Sequence, residues 1–491
     1  MNRRDFLRLA GLSAAAAVLP WQNRLAAAAG AAPRGRPNVL FLAVDDLNHW
    51  VGYLKRNRQT ITPNIDRLAS MGVAFTHAYC AAPVCNPSRA ALMSGLRPGT
   101  SGCYSNGDYF PNYIPEDVTL CTAFRKAGYF VCGAGKIYHS SVHRPAEWDD
   151  YQEDRHPAPD PKVERVMAGN FNITPLDCNN EDMPDYKITS YGIEQLGKKQ
   201  EKPFFLAVGL HKPHLEWNVP RKYYEMHPLK DIELPPYLEN DLDDLPPAGV
   251  KMAKPQGDHA AILKTGTWKN AIQAYLAATS FCDAQIGRVL EALENSAYKD
   301  NTIVVFWGDH GWHLGEKHHW RKFALWEEAA RAPFIWVVPG VTRPGGSCER
   351  TVDFMGIYPT LCDLCGIAVP RHVEGVSIKP LLENPSAAWT RPAVTTHGYQ
   401  NHAVRTEQWR YIRYADGGEE FYNEQTDPYE WTNLATNPDY AREKEALARF
   451  LPTANKAPGK GSTTAKDDPL KEAAEEPGGS KAGKRKKKAA D

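Results

Sequence analysis

The sequence predicts an α/β fold in which a large, mostly parallel sheet is flanked by helices and followed by a small antiparallel subdomain. Three continuous apolar runs support the sheet, because strands buried on both faces have this pattern. Segments with helical periodicity lie between the runs, and such alternation is typical of a sheet with helices on both sides. A chain of 491 residues is long enough for one large domain and a smaller one.

The three apolar runs are the predicted central strands, and each is followed at once by polar residues. The runs span residues 38–44, 204–208 and 302–307. The polar residues after them include Asp45, His211 and Asp309. Ligands of open α/β sheets bind beyond the carboxyl ends of the strands, so we expect these side chains to share one functional rim.

The remaining elements follow from helical and strand periodicity. Helices are predicted at residues 63–71, 87–94, 118–127, 271–293 and 353–365. Beyond about residue 370, short strands at 394–397, 403–406, 409–414 and 420–422 precede one amphipathic helix at 438–451. A small antiparallel sheet with one helix is the natural product of this pattern. We therefore predict a large α/β domain over 37–370 and a C-terminal α+β subdomain over 371–455.

Both ends of the chain differ from the body in composition. Arg3 and Arg4 precede an apolar, Ala-rich run and several small-x-small cleavage sites, which predicts a twin-arginine signal over residues 1–32. The protein is therefore expected to be exported to the periplasm or the extracellular space. Residues 456–491 are rich in Lys, Gly, Ala, Ser and Pro, and this composition predicts a disordered basic tail.

The overall charge balance hides an acidic body. The chain has 58 basic and 58 acidic residues, but residues 1–36 carry a net charge of +5 and residues 456–491 a net charge of +4, so residues 37–455 carry −9. A body this acidic is unsuited to general binding of nucleic acid. No apolar stretch reaches the about 20 residues of a membrane-spanning helix, so transmembrane anchoring is not expected.

Ten cysteines in an exported chain permit disulfides without fixing their pairing. Cys362 and Cys365 form a C-x-x-C pair, which is one form of redox motif. They lie, however, in an apolar helical stripe that ends at Gly366. Two buried helix cysteines are therefore the preferred interpretation, and a thiol-redox protein is the alternative.

Two pairs of adjacent residues at strand ends indicate a metal site. Asp45 and Asp46 close the first apolar run, and Asp309 and His310 follow the third. Carboxylates favour a hard divalent ion, whereas a histidine is less typical of calcium. The spacing alone therefore predicts a divalent cation and leaves its identity open.

The segment around Cys85 predicts an anion site. Pro87 suits a first helical turn and Gly95 a helix exit, which places Cys85 just before a helix N-terminus. Free backbone N–H groups there favour an anion, and Arg89 lies one turn further on. A plain thiol in this position is expected to be a nucleophile with a lowered pKa.

Residues 85–89 read C-N-P-S-R, and C-x-P-S-R is the sequence oxidised to formylglycine in type I sulfatases. The chain resembles this family, a branch of the alkaline phosphatase superfamily, from residue 38 to about 434. Further matching motifs follow in order: NVLFLAVDD (38–46), TPNIDRLA (62–69), GKIYH (135–139), GDHG (308–311), LGE (314–316), WRK (320–322) and YPT (358–360). Within the family, FLAVGLHKPH (205–214) is most similar to iduronate 2-sulfatase and its bacterial relatives.

The resemblance implies a large mixed, mostly parallel sheet, a formylglycine derived from Cys85, and one bound calcium ion. The calcium ligands would be Asp45, Asp46, Asp309, His310 and an oxygen of modified residue 85. The resemblance also implies a partner, a formylglycine-generating enzyme that acts before export.

The resemblance further implies roles for the other residues of the site. Arg89 would orient the formylglycine hydrate, Lys136 and Lys322 would bind the sulfate oxygens, His139 and His211 would handle protons, and His214 would contact substrate or scaffold. The family often has Gly-Glu-His near position 317, where this chain has Lys317 followed by His318. Both of these residues are therefore left outside the predicted site.

The implied activity is hydrolysis of a sulfate ester on a carbohydrate, with a 2-O-sulfated uronate as one candidate. The hydrated aldehyde would attack sulfur, and its second hydroxyl would later expel sulfate. A phosphate or phosphonate ester hydrolase of the same superfamily is an open alternative, since such substrates also fit a cationic pocket. A non-catalytic binder of anionic polysaccharide, with Cys85 unmodified, is another. The sequence leaves the oligomeric state open.

Overall fold

The computed structural model of the protein describes residues 35–139, 144–153, 159 and 164–459. The predicted signal at 1–32 and residues 460–491 of the predicted tail lie outside these ranges. No helix within the described ranges has both the length and the apolar character needed to cross a bilayer.

Eighteen strands are present in the described residues. In chain order they are β1 (Asn38–Val44), β2 (Val73–Phe75), β3 (Ala78–Tyr79), β4 (Phe130–Gly135), β5 (Asp150–Gln152), β6 (Met167–Ala168), β7 (Phe171–Asn172), β8 (Phe204–Leu210), β9 (Thr302–Gly308), β10 (His313–Leu314), β11 (Trp320–Arg321), β12 (Phe334–Val337), β13 (Gly346–Cys348), β14 (Val352–Asp353), β15 (Ala393–Thr396), β16 (His402–Arg405), β17 (Trp409–Arg413) and β18 (Glu419–Asn423).

Thirteen α-helices accompany them in the same part of the chain. They are α1 (Pro63–Met71), α2 (Cys85–Ser94), α3 (Pro98–Ser101), α4 (Leu120–Lys126), α5 (Pro184–Gly197), α6 (Arg221–Glu225), α7 (Pro247–Ala253), α8 (Asp258–Thr265), α9 (Trp268–Glu294), α10 (Glu327–Ala330), α11 (Ile357–Leu364), α12 (Lys379–Glu383) and α13 (Ala441–Ala448).

The central sheet has eight strands in the order β13-β2-β12-β9-β1-β8-β4-β5. Strand β12 runs antiparallel to both of its neighbours, and the other pairs are parallel. The predicted mixed, mostly parallel sheet is confirmed. The three apolar runs of the sequence are adjacent in it as β9-β1-β8, so their carboxyl ends meet at the middle of one rim.

Helices cover both faces of this sheet, as the two-sided burial of β1 requires. Val39 and Phe41 pack in a core with residues of α2, α4 and α11. Leu40 and Leu42, which point the opposite way, pack in a second core with residues of α1, α5 and α9. Alternate side chains of one strand thus serve two separate cores, because successive residues of a strand face opposite sides.

Several predicted helix boundaries are wrong. Helix α2 begins at Cys85 rather than at residue 87, since Val84 is the extended N-cap whose carbonyl accepts from the Ser88 N–H. The segment predicted as one helix at 353–365 is a 3₁₀ turn, Phe354–Gly356, followed by α11. The predicted helix at 438–451 is likewise a 3₁₀ turn, Pro438–Tyr440, followed by the shorter α13.

A four-stranded antiparallel sheet, β15-β16-β17-β18, forms the C-terminal part of the described chain and confirms the predicted small sheet. A buried charge cluster joins it to helix α10. The Arg410 guanidinium on β17 pairs with Glu327 of α10, with Glu424 at 2.9 Å and with Glu430 at 2.6 Å. Arg405 of β16 also lies 3.3 Å from Glu327.

Lys456, the first residue of the predicted tail, makes hydrogen bonds to the body of the protein. The Lys456 N–H donates to the Gly99 carbonyl at 2.8 Å, and the Tyr104 hydroxyl donates to the Lys456 carbonyl, also at 2.8 Å. Composition alone does not show such backbone pairing.

All ten cysteines lie within the described residues and all are free thiols. Cys362 lies in α11 and Cys365 directly after it, and both are buried. The preferred interpretation of this pair as buried helix cysteines agrees with the structure.

Candidate active site at the carboxyl ends of the central strands

Asp45, Asp46, Asp309 and His310 converge where β1 and β9 end. The two strands are parallel neighbours, and the Asp309 N–H donates to the Val44 carbonyl at 3.0 Å. The Asp46 N–H in turn donates to Asp309 Oδ1 at 3.1 Å. All four side chains are fully buried, so the sheet brings three carboxylates and an imidazole together away from solvent.

These residues form two overlapping groups of potential metal ligands. One group contains Asp45, Cys85, Asp309 and His310, and its ligand atoms all lie within 4.8 Å of one another. The second contains Asp45, Asp46, Cys85 and His214. The sequence placed His214 at the substrate, whereas the structure also places it among the possible metal ligands.

The hydrogen bonds of the imidazoles fit a cation between these side chains. His310 Nδ1 faces the Gly311 carbonyl at 3.0 Å, and because a carbonyl only accepts, the proton of a neutral ring lies on Nδ1. The Nε2 lone pair then faces Asp46 Oδ1 at 3.4 Å and Asp309 Oδ1 at 3.5 Å. A lone pair opposed to two carboxylate oxygens is unfavourable unless a cation lies among them.

A second observation supports the same conclusion. Asp46 Oδ2 is buried and has no hydrogen-bond partner among the described residues. Its nearest ionic neighbour is His214 Nε2 at 3.8 Å, which is too long for a hydrogen bond. A buried carboxylate oxygen is costly without a partner, and a hard divalent cation is the partner that such oxygens prefer.

Cys85 lies at the centre of this cluster, at the first position of α2. Its Sγ is 3.0 Å from Lys322 Nζ, 3.3 Å from His310 Nε2 and 3.8 Å from Asp46 Oδ1. Burial and the charge of Asp45 raise the pKa of the Cys85 thiol well above its usual range. The expectation of a low-pKa thiol is therefore wrong, since desolvation and carboxylates outweigh the helix N-terminus and the lysines.

Arg89 holds the carboxylates in place from the next turn of α2. Its Nε donates to Asp309 Oδ2 at 2.8 Å, and its Nη2 approaches Asp45 Oδ1 at 3.5 Å. Its Nη1 donates to the carbonyl of Lys136. The guanidinium thus connects β1, β9 and the end of β4, while its predicted orienting role toward residue 85 stays a prediction.

Two lysines complete the charge balance of the site. Lys136, just beyond β4, places its Nζ 2.5 Å from Asp45 Oδ2, and Lys322 Nζ lies 3.0 Å from Asp46 Oδ1. Both side chains are almost fully buried. Burial alone would raise the pKa of Asp45, but the charges of Lys136, His214 and Arg89 outweigh it and hold that pKa well below its usual range. Asp45 is therefore an anion in the folded protein.

The backbone of His211, directly after β8, is positioned by an acid that the sequence did not single out. Asp185, in the first turn of α5, accepts from the backbone N–H of His211 at 2.9 Å and of Lys212 at 2.8 Å. His214 Nε2 lies 3.9 Å from Asp45 Oδ2. Asp185 precedes His211 by 26 positions, so no local pattern could have linked them.

His139 is the last of the predicted site residues, and Lys317 and His318 are the two residues that the prediction left outside the site. His139 is half-buried and ends the described segment that follows Lys136. Lys317 is buried and donates to Asp241 Oδ1 at 2.7 Å, and His318 stacks on Tyr237. The exclusion of Lys317 and His318 from the site stays a prediction.

Comparison with known proteins identifies the same architecture. The sequence model of the Sulfatase family matches residues 37–367, and that of the N-sulphoglucosamine sulphohydrolase C-terminal region matches residues 315–456. A sulfatase of Formosa agariphila is 39% identical over 446 residues, which are 86% of this chain and 87% of the relative.

Two further similar proteins have names that state a specific sulfatase activity. Human iduronate 2-sulfatase is 31% identical over 384 residues, covering 68% of this chain and 70% of the human protein. The solved structure of a 2-O GAG sulfatase superposes with a TM-score of 0.66 at 25% identity, covering 84% of this chain and 91% of the other. Since the Sulfatase model spans well over half of the residues and the fold agrees, this chain is an enzyme of the sulfatase family.

Proposed function

We propose that this sulfatase removes a sulfate ester from a carbohydrate, with a 2-O-sulfated uronate as the substrate unit. One observation carries the proposal: Cys85 Sγ lies within 3.3 Å of both Lys322 Nζ and His310 Nε2, beside the carboxylates of the candidate metal group. A nucleophile at position 85 would thus attack an anion bound between a lysine and a cation. The similarity to iduronate 2-sulfatase and to a 2-O GAG sulfatase supports the choice of sugar.

The proposal includes conversion of Cys85 to formylglycine by a generating enzyme before export. Residues 85–89 carry the C-x-P-S-R sequence, and the unmodified thiol, with its raised pKa, is poorly suited to nucleophilic attack. Formylglycine would supply a hydrated aldehyde with two hydroxyl groups on one carbon. The Ser88 hydroxyl donates to the Asp309 carbonyl at 2.6 Å. Ser88, which belongs to the same C-x-P-S-R segment, thus helps to position the proposed metal ligand Asp309.

The proposed resident ion is one calcium, held by Asp45, Asp46, Asp309, His310 and residue 85. When bound, the cation would neutralise negative charge on the sulfate oxygens. It would also take over the carboxylates that Lys136 and Lys322 now balance. Both ammonium groups could then bind the oxygens of an anionic ester.

The side chains around the bound sulfate have separate roles in binding, positioning and proton transfer. Lys136 and Lys322 bind sulfate oxygens and stabilise the charge that develops on them. Arg89 fixes Asp45 and Asp309. His211, held at its backbone by Asp185, protonates the departing sugar oxygen, and His139 acts as the base that helps to release sulfate. His214 contacts the substrate on the side of the metal, because its Nε2 lies 3.9 Å from Asp45 Oδ2 and 3.8 Å from Asp46 Oδ2.

The domain and location assignments belong to the same proposal. Residues 37–370 form the catalytic domain and 371–455 the C-terminal subdomain, while 1–32 direct export by the twin-arginine route. The substrate would therefore be met in the periplasm or outside the cell. In this proposed organisation, residues 456–491 form a basic tail.

A peptide mass spectrum across position 85 tests the proposal. The protein is isolated from its own host, or from one with the modifying enzyme, with a known sulfatase converted in parallel as the control. We expect an aldehyde in place of the thiol, together with release of sulfate from 2-O-sulfated uronates. An unmodified thiol beside a converted control would contradict it. Faster hydrolysis of a matched aryl phosphate than of the aryl sulfate would favour the phosphatase alternative.

A further inference from the structure

A buried tryptophan follows each of the three central strands. Trp50 lies in the segment after β1, Trp217 in the segment after β8 and Trp312 in the segment after β9. These are the same segments that carry the acids and histidines of the candidate active site. The three rings belong to one hydrophobic core, which they share with Tyr275 of α9. The polar segments of the rim are therefore all attached to one aromatic cluster beneath the site.

The rings of this cluster meet edge to face around Tyr275. The ring centres of Trp50 and Trp217 lie 6.4 Å and 5.5 Å from that of Tyr275, at interplanar angles of 85° and 78°. Trp312 packs against Trp217 with 6.0 Å between the ring centres. Edge-to-face aromatic pairs are favourable and have a defined geometry. The Tyr275 ring therefore has a defined position relative to the rim.

The Tyr275 hydroxyl bridges two backbone groups of the segment after β1. It donates to the Asp46 carbonyl at 2.9 Å and accepts from the Asn48 N–H, also at 2.9 Å. Both groups lie beyond the end of β1 at Val44, where strand pairing no longer serves the backbone. Tyr275, Asp46 and Asn48 are fully buried, so solvent cannot readily replace the hydroxyl. Buried backbone groups that lose a partner are costly, which makes this bridge a strong constraint.

The bridge acts on a residue with a strained backbone. Asp46 has φ 57°, in the left-handed region that residues other than glycine rarely adopt. Such a conformation persists only when its surroundings determine it. The Tyr275 hydroxyl fixes the Asp46 carbonyl, while the Asp46 N–H donates to Asp309 Oδ1 at 3.1 Å. Since the backbone limits where a side chain can point, these contacts also position the Asp46 carboxylate.

Asn48 extends the same constraint to the segment after β9. Its Nδ2 donates to the Trp312 carbonyl at 3.0 Å, and its Oδ1 accepts from the Trp50 N–H at 2.9 Å. Trp312 lies two positions after His310, another candidate metal ligand. The Lys322 Nζ lies 5.5 Å from the centre of the Trp312 ring. The hydrogen bonds around Tyr275 therefore connect both acidic segments of the candidate metal group.

We propose that Tyr275 is a positioning residue for the metal site, whose hydroxyl fixes the left-handed backbone of Asp46 and so holds its carboxylate ready for the cation. The inference rests on the proposed function, which puts one calcium ion at these carboxylates. It adds a residue of α9, a helix that carries no ligand of the proposed site. Groups that orient metal ligands typically contribute about 10–100-fold to metal affinity.

Tyr275→Phe tests the proposal, because it removes the hydroxyl and keeps the ring that packs against the tryptophans. The matched control is Tyr129→Phe. The Tyr129 hydroxyl donates to the Pro37 carbonyl at 3.0 Å, directly before β1, and this side chain is also buried. The two hydroxyls thus pair with backbone groups beyond opposite ends of β1, and only that of Tyr275 contacts a candidate metal ligand.

The first measurement is calorimetric titration of the full chain with calcium after chelation. We expect Tyr275→Phe to raise the Kd for calcium about tenfold or more. Tyr129→Phe should keep the wild-type Kd, even if its loss of a buried hydrogen bond lowers the Tm. An unchanged Kd in Tyr275→Phe, or an equal rise in both variants, would overturn the positioning role.

Hydrogen exchange of the chelated protein separates this inference from the proposed function, since it requires neither calcium nor turnover. Peptides that cover residues 45–50 should exchange faster in Tyr275→Phe than in the wild type, and Tyr129→Phe should leave them unchanged. Equal exchange in Tyr275→Phe and the wild type would overturn the inference. Faster exchange together with a wild type that binds no calcium would support the fixed backbone of Asp46 and count against the proposed ion alone.

Discussion

The ammonium group of Lys322 lies 3.0 Å from the Sγ of Cys85, although 237 positions separate the two residues in the chain. The same ammonium group is 3.0 Å from Asp46 Oδ1. Lys322 therefore contacts both the proposed nucleophile position and a candidate metal ligand. An anion bound at Cys85 would meet this charge without any rearrangement of the backbone.

Replacing Lys322 tests its proposed contact with the sulfate. Lys322→Ala should cost about 2–4 kcal/mol of transition-state stabilisation, by analogy with the loss of one oxyanion donor. The measurement is kcat/KM for sulfate release. Lys202→Ala, which removes an exposed lysine before β8 at the opposite end of the strand, is the control. Unchanged turnover in Lys322→Ala would remove this residue from the site.

Substitution at position 85 distinguishes formylglycine chemistry from that of a simple hydroxyl nucleophile. Cys85→Ser offers one hydroxyl, which can form a sulfate ester but lacks the second hydroxyl needed to expel the sulfate. We expect at most one turnover and a covalent sulfate on the peptide, detected by mass spectrometry. Cys178→Ser, at a half-buried cysteine elsewhere, should turn over normally. Sustained turnover by Cys85→Ser would contradict the proposed modification.

Calcium should stabilise the protein through the carboxylate cluster. Because the folded state alone assembles this site, saturating ion at about 100 times its Kd should add roughly 2.7 kcal/mol to the free energy of unfolding. The readout is the rise in Tm on adding calcium after chelation. Asp309→Asn should abolish most of this rise, while Asp231→Asn, at an exposed position, should preserve it. An equal rise in both variants would place the ion elsewhere.

The buried charge cluster on β17 should be essential to stability. Arg410→Leu would leave Glu327, Glu424 and Glu430 without their shared cation, and breaking a buried pair in this way typically costs about 3–5 kcal/mol. Arg413→Leu changes an exposed arginine on the same strand and should cost little. Denaturant unfolding measures both. Similar stabilities of the two variants would show that the cluster contributes little.

Acid should weaken the fold partly through His402. Burial lowers the pKa of this side chain from 6.5 to about 4, and its nitrogens lie 3.0 Å from Thr396 Oγ1 and Asn455 Oδ1. The unfolded chain therefore takes up the proton first, so stability is retained above pH 6.5 and lost as the pH falls toward 4. His402→Gln should reduce the loss of unfolding free energy between pH 7 and 4.5. An unchanged pH dependence in the variant would exclude this contribution.

The sequence predicted the central strands well because burial on both faces leaves a continuous apolar pattern. Strand β1 agrees with its prediction at both ends, and β9 extends it by one residue. Helix starts were predicted less accurately, as at Cys85 and Ile357, because backbone hydrogen bonds and not periodicity decide the first turn. The pKa of Cys85 was predicted in the wrong direction, since burial depends on every element packed around it.

What the sequence by itself determined is the chemistry available: the acids after β1 and β9, the C-x-P-S-R segment, and the order of motifs that identifies the family. What only the tertiary structure decided is which of these groups meet. The positions of His214 beside the carboxylates and of Asp185 behind His211 depend on contacts between distant segments. Local patterns carry burial and propensity, whereas distances across a site arise only when the sheet and its helices pack.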